Sequence, residues 1–313
     1  MAAQAAKSKT AAVKQDVEDE GYRVGEIDAT GRPWPDLPEP GAPKKPPQGV
    51  VIALTNQKGG VGKTTTAINL GAALAETGRR VLLVDFDPQG SLSIGLGINP
   101  HTLDHSVYDL LIPRVQIGAE DVIVASSVAN LDILPANIDL SAAEVQLVSE
   151  VAREQTLTRV LDQVKATYDL ILIDCAPSLG LLTINALTAA DYVLIPLECE
   201  FFALRGVALL TDTIAKVQER LNSRLQVLGV VPTMFDHRTL HAREVLDRVL
   251  DAFGDDVFHT VIRRTIKFPE TTVAGEPITT YASASGGAQA YRSLAREVLV
   301  RLDGATMSPG KPA

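Results

Sequence analysis

Lys58-Gly59-Gly60-Val61-Gly62-Lys63-Thr64 gathers three glycines, two lysines and a hydroxyl into seven residues. Glycines let a backbone turn tightly and aim its N–H groups at one point, where they can cradle phosphate oxygens. A helix beginning near Thr64 would add the positive end of its dipole. In such a loop Lys63 reaches the β- and γ-phosphates, and the Thr64 hydroxyl binds Mg²⁺. The pattern G-x-x-x-x-G-K-[ST] asks for a glycine five residues before Gly62. Gln57 stands there instead, and Lys58 is an additional cation. A dinucleotide-type G-x-G-x-x-G fits less well, because it leaves Lys63 and Thr64 without a task. Two acids complete the set. Asp85 ends the run Val81-Leu82-Leu83-Val84, and Asp174 ends Leu170-Ile171-Leu172-Ile173. Carboxylates at such strand ends can hold a hydrated Mg²⁺, and a further one can orient an attacking water. Asp87 is a candidate for that second role, although Asp87-Pro88 also reads as the start of a turn.

These residues need a particular scaffold. Val50-Val51-Ile52-Ala53-Leu54-Thr55 is a continuous apolar run, as expected of a parallel strand buried on both faces. The Gly-rich loop, a helix from Thr64 to about Glu76 and the strand Arg80–Asp85 follow it, which makes a right-handed βαβ unit. The alternation continues. Helices are expected near Ala142–Ala166, Leu181–Ala189, Val207–Leu221, Leu240–Phe253 and Ala288–Leu302. Strands are expected at Leu170–Asp174, Tyr192–Pro196 and Leu225–Val231, with a short segment at Val257–Val261. The fold class is α/β, a doubly wound, mostly parallel sheet with helices on both faces. Ligands of such sheets bind beyond the carboxyl ends of the strands, where Asp85, Asp174 and the Gly-rich loop converge.

Residues 1–48 are Ala- and charge-rich, then Pro-rich, with too few periodic apolar residues to bury. They read as a disordered leader, or as a docking segment anchored by Trp34. Residues 49–303 read as one domain and residues 304–313 as a flexible tail. The 313-residue chain is 46% hydrophobic, enough for one large core. It has two cysteines, Cys175 and Cys199, with no C-x-x-C pair, so neither a disulfide framework nor a structural zinc site is expected. Free thiols point to a reducing cytoplasm. No run of 18 or more apolar residues is present, and the N-terminal stretch lacks the apolar core of a secretory signal. Net charge is −9, which opposes gross affinity for nucleic acid. The charge is uneven, however. Phe201–Arg301 carries 13 Lys/Arg against 11 Asp/Glu, and the remainder 16 against 27.

The sequence resembles the ParA/Soj partition ATPases, within the deviant-phosphate-loop superfamily that includes MinD. The resemblance covers about residues 50–302 and rests on four blocks in order. These are Thr55–Thr66, Val84–Gly90, Ile173-Asp174-Cys175-Ala176-Pro177 and Pro196–Leu204. Phe268-Pro269-Glu270 and Gly275-Glu276-Pro277-Ile278 also look like the family's C-terminal region, and the pattern looks most like chromosomal ParA-like members. The resemblance implies a slow, partner-stimulated ATPase that uses ATP and Mg²⁺. Lys58 would be the signature lysine that touches the partner subunit's phosphates, so that ATP joins a homodimer and hydrolysis releases it. With Lys58, the loop residues Gly59, Gly60, Val61, Gly62, Lys63, Thr64 and Thr65 would hold the nucleotide. Asp87 would orient water, Asp85 and Asp174 would support Mg²⁺ beside Thr64, and adenine would sit near Thr233 and Met234. It further implies non-specific DNA binding by the ATP dimer, a ParB-like DNA-binding partner and a cytoplasmic, nucleoid-associated location. Candidate DNA contacts are Arg205, Arg238, Arg263, Arg264, Lys267 and Arg292, each equally readable as an ordinary surface charge.

Rival readings are a MinD-like positioning ATPase and a DNA-binding adaptor in which ATP is structural. The first would want a basic amphipathic C-terminal helix. Here the last helix gives way to Gly304 and a Pro-containing tail, so no membrane partner is expected.

Overall fold

The computed structural model describes residues 25–43, 48–112, 117–200 and 203–304. In chain order its elements are β1 (Val50–Leu54), α1 (Lys63–Glu76), β2 (Val81–Phe86), α2 (Ser91–Gly95), α3 (Val107–Leu111), α4 (Ala119–Val122), β3 (Val124–Ala125) and β4 (Leu131–Leu134). Then come α5 (Leu140–Gln146), α6 (Thr156–Asp162), β5 (Leu170–Cys175), α7 (Leu181–Ala189), β6 (Tyr192–Glu198), α8 (Ala203–Arg220) and β7 (Gln226–Thr233). The chain closes with α9 (Leu240–Phe253), α10 (Lys267–Ala274), α11 (Ile278–Tyr281) and α12 (Gly286–Leu302).

Seven strands form one sheet in the order β3-β4-β2-β5-β1-β6-β7. All pair in parallel except β3, which runs antiparallel to β4. The apolar runs of β1, β2 and β5 occupy the centre, where helices cover both faces and side chains of both pleat directions are buried. One core layer joins α1 and α12 to the sheet through Leu70, Leu74, Tyr291 and Leu294. The opposite layer joins α6, α7, α8 and α9 through Leu157, Leu187, Leu210 and Leu246. The order reverses around β1, so the loop that leaves β1 lies at the sheet's switch point.

Edge strand β7 carries a register shift opposite Val193 and Leu194, and Gly229 takes φ +151 there. An added Cβ would collide with the Asp256 carbonyl oxygen and stand 2.7 Å from the Phe258 ring. Gly229→Ala should therefore cost about 2–4 kcal/mol of stability, from backbone strain plus overpacking. Denaturant melting reads this, and an unmoved midpoint would contradict it.

Several expectations need correction. The single helix near Ala142–Ala166 is broken. α5 ends at Gln146, single turns follow at Leu147–Ser149 and Arg153–Gln155, and α6 starts at Thr156. Ala152 sits at φ +54 in the break, and Val145, Val148 and Val151 face solvent instead of continuing an apolar stripe. The short segment expected at Val257–Val261 meets β7 through the isolated bridge Val230–Val257. Strands β3 and β4 had no expectation because two and four residues carry almost no periodic signal.

The leader expected over residues 1–48 is, from residue 25 to 43, a strap laid on the domain. Asp28 accepts bonds from the Thr30 amide and hydroxyl and from the Arg32 amide, which closes a tight turn. It also pairs with His259 at 2.6 Å. Arg32 donates to the Val257 carbonyl at 2.9 Å, Arg296 pairs with Glu39 at 2.6 Å, and Leu37 is buried. A low average hydrophobicity concealed these few anchors. Such a strap needs no core of its own when its polar groups are satisfied by local turns and by the domain beneath. Trp34, expected as the anchor of a docking segment, packs within the chain, with its ring centroid 6.1 Å from that of His259. Residues 1–24 and 305–313 of the expected tails lie outside the described residues.

Candidate functional site

β1 delivers the Gly-rich loop to the carboxyl edge of the sheet, and α1 leaves it. Gly62 caps α1 at φ +85, no side chain bonds the first-turn amides, and the first turn holds no acid. Gly60, at φ +77, also takes a conformation that side-chained residues avoid. Open amides, a helix dipole and two nearby lysines make an anion site of this corner. The loop is braced by β7 and β6. The Thr233 hydroxyl donates to the Val61 carbonyl at 2.8 Å. Asn56 donates to the Pro196 carbonyl at 2.8 Å, and its Oδ1 accepts from the Lys58 amide at 3.0 Å.

A 390 Å³ cavity opens over this loop. Gly59, Gly60, Gly62, Lys63, Thr64 and Thr65 line one wall, with Asp87, Ser91 and Met234 facing them. Met234 holds φ +51, an uncommon conformation for a residue with a side chain, at the rim. Lys63 is buried and donates from Nζ to the Lys58 carbonyl at 3.1 Å. Burial lowers its pKa, which the Asp174 charge opposes.

Thr64 and Asp174 meet as expected, with Oγ1 2.6 Å from Asp174 Oδ2. Asp174 Oδ1 is buried and has no hydrogen-bond partner. An orphaned carboxylate oxygen beside a threonine hydroxyl fits a hydrated Mg²⁺, which draws one or two ligands from protein and the rest from water and phosphate. Asp85 is placed differently. Its Oδ2 accepts from the Ser93 amide at 2.8 Å and the Ser93 hydroxyl at 2.7 Å, and its Oδ1 faces the Asp87 amide at 3.4 Å. It therefore anchors α2 and the turn that carries Asp87, with no direct bond to Thr64. Asp87 is half-exposed in the cavity, and its Oδ1 accepts from the Gln89 amide at 3.0 Å.

Lys58 has partners that the sequence reading missed. Its Nζ is 2.8 Å from Glu198, the last residue of β6, and 2.6 Å from Glu200 just beyond it. The signals were Asn56, two residues before Lys58, and the acids Glu198 and Glu200 within the block Pro196–Leu204.

The candidate DNA contacts do not form one cluster. Phe235 bridges Arg263, so the Arg238 loop and the Arg263–Lys267 segment adjoin. Arg238 is held by Asp236, Arg264 by Glu198 and Lys267 by Glu270. Arg292 lies apart, bound to Glu76 in the last turn of α1. Arg205 is exposed on the first turns of α8.

Burial, and then the neighbouring Asp85 charge, push Asp174 up to about 8; burial pushes Asp85 up to about 6. A carboxyl with a raised folded pKa contributes stability that is complete below its unfolded value and is lost as pH rises through the folded one. Metal-free protein should thus lose stability between about pH 4 and about pH 8. Asp174→Asn should flatten that slope in melts across the range. An equal slope in both proteins would refute the assignment.

A protein-family profile described as an AAA domain matches residues 49–227. An uncharacterized protein of Mycobacterium tuberculosis is 59% identical over 276 residues, 88% of this chain and 86% of the relative. The sporulation initiation inhibitor protein Soj of Bacillus subtilis is 50% identical over 250 residues, 80% of this chain and 98% of the relative. A crystal structure described as cobyrinic acid a,c-diamide synthase from Mycobacterium smegmatis, with bound ATP analog and magnesium, superposes with TM-score 0.73. It is 41% identical over 84% of this chain and 99% of its own.

Proposed function

Because the chain belongs to the ParA/Soj family of P-loop ATPases, we propose that it is a partition ATPase whose two copies close around bound ATP, hold DNA non-specifically while closed, and part after hydrolysis. The protein is an ATP hydrolase, and ATP and Mg²⁺ are its cofactors. The observation that carries the reading is the second lysine. Lys58 begins the loop that walls the cavity without lining it, whereas Lys63 is already buried inside, beside the uncapped start of α1. One cation serves the phosphates from within; the other is free of the cavity floor and can serve phosphates across an interface, as an arginine finger does.

Each residue then has a task. The loop amides and Lys63 bind and orient the terminal phosphates. Thr64 and Asp174 would hold Mg²⁺, which would supply positive charge to neutralise those phosphates. Asp87 accepts a hydrogen bond from the attacking water and aligns it. Asp85, through Ser93 and the Asp87 amide, keeps that turn in place. For DNA, the adjoining Arg238 and Arg263–Lys267 segments are the candidate patch, doubled in a dimer; a ParB-like protein is the expected stimulating partner. Nucleoid association would follow from that binding. Among the described residues no helix is long and apolar enough to cross a membrane.

Lys58→Ala tests the reading. It should bind a non-hydrolysable ATP analogue yet sediment as a monomer where the unaltered protein sediments as a dimer. A Lys58→Ala dimer of undiminished affinity would defeat the switch.

A further inference from the structure

Lys58 is not among the residues lining the cavity; its side chain is drawn outward into the Glu198 and Glu200 carboxylates. Its backbone is fixed, because its amide is bonded to Asn56 Oδ1 and Asn56 is tied to β6. Only the flexible stem can move, so the ammonium has two addresses: the carboxylates or a bound phosphate. Glu198 is the more consequential partner. Its side chain is only 10% exposed, whereas that of Glu200 is 54% exposed. A buried carboxylate stripped of its cation is costly, and that cost would keep Lys58 where it is. Glu198 nevertheless has a second cation. Its other oxygen, Oε1, lies 3.2 Å from Arg264 Nη2. Arg264 approaches from beyond β7, with Nη2 also 4.0 Å from the sulfur of Met234 at the cavity rim. One carboxylate thus holds two cations, one from the phosphate loop and one from the segment that follows β7.

We propose that Glu198 is a positioning residue that keeps Lys58 retracted in the nucleotide-free chain and yields it to phosphate, while Arg264 stays behind as the counter-charge that makes the release tolerable. This rests on the reading of Lys58 as a cation delivered to phosphate. Lysine suits the moving role, being a compact charge on a flexible stem; arginine suits the staying role, because its planar fork is pre-organised for a carboxylate. The two cations therefore act on Lys58 with opposite sign. Weakening Glu198 frees it. Removing Arg264 leaves Glu198 with Lys58 as its principal partner and tightens the hold.

The experiment uses the full chain with Mg²⁺ and no DNA, titrated with a non-hydrolysable ATP analogue and followed by sedimentation, alongside steady-state ATP hydrolysis. Glu198→Gln should lower the analogue concentration for half-maximal dimer by about threefold to tenfold, and Arg264→Gln should raise it by a similar factor. Glu200→Gln should move it the same way as Glu198→Gln, but less, since that carboxylate is exposed. The double variant should follow Glu198→Gln alone, because Arg264 acts only through Glu198. For Glu198→Gln and Glu200→Gln the ATP dependence of hydrolysis should shift in the same direction with the maximal rate held within about twofold, a split that general damage to the fold would not give. If Glu198→Gln does not fold, the opposed shifts of Glu200→Gln and Arg264→Gln carry the test. A folded Glu198→Gln with an unmoved or raised midpoint overturns the latch, as does a shift of the same sign for Arg264→Gln. If Lys58→Ala dimerises as well as the unaltered chain, the reading of Lys58 fails and the latch with it. If Lys58→Ala stays monomeric while the carboxylate variants leave the midpoint in place, the latch alone is wrong.

Discussion

Lys63→Ala should reduce ATP hydrolysis by roughly 10²–10³-fold, with nucleotide binding weakened as well. Lys63 projects from the first turn of α1, is buried, and is the one cation inside the phosphate cavity among the described residues that line it. Burial lowers its pKa, yet the Asp174 charge supports the protonated form. It therefore meets phosphate as a desolvated cation, the condition in which a charge stabilises most. The substitution also removes a cation that balances Asp174, so the melt and the rate must be measured together. Phosphate release near the unaltered rate from a folded Lys63→Ala protein would remove Lys63 from the mechanism.

Asp87→Ala should behave in the opposite manner toward the ligand. Hydrolysis should fall by roughly 10²–10⁴-fold, the range for losing a general-base or water-positioning group, while ATP stays bound. The protein should then accumulate as the closed dimer in excess ATP. A competing explanation is purely local. Asp87 Oδ1 accepts from the Gln89 amide, so the residue also shapes its own turn. Asp87→Asn separates the two, because an amide oxygen can keep the turn but lacks the charge that aligns water. Loss of hydrolysis in both variants supports the water-orienting role. Loss in Asp87→Ala with full activity in Asp87→Asn assigns Asp87 to the turn. The first pattern should leave the dimer as stable as in the parent, which sedimentation reads directly.

The two substitutions sort the site by how a residue meets phosphate. On the proposed roles, loss of Lys63 should move binding and rate together, and loss of Asp87 should move rate alone. Asp85, which the sequence assigns to Mg²⁺, is one step further out. Its oxygens are taken by Ser93 and the Asp87 amide, and it acts by holding the turn.

The sequence by itself determined the sheet's centre and the phosphate loop. β1, β2 and β5 are continuous apolar runs that only a strand buried on both faces explains, and Gly60, Gly62, Lys63 and Thr64 are fixed relative to one another by a few bonds of chain. Local chemistry at short spacing is legible because no distant contact is needed to define it. What only the tertiary structure decided are the pairings between residues far apart in the chain. Lys58 meets Glu198 across 140 residues, and the strap of residues 25–43 is fastened by Asp28 to His259 across 231. Each depends on which strand lies beside which and on where a flexible side chain finds its counter-charge, quantities that periodicity does not encode. The break at Ala152 is likewise held from a distance, since Asn185 accepts from the Leu157 amide and donates to the Arg153 carbonyl.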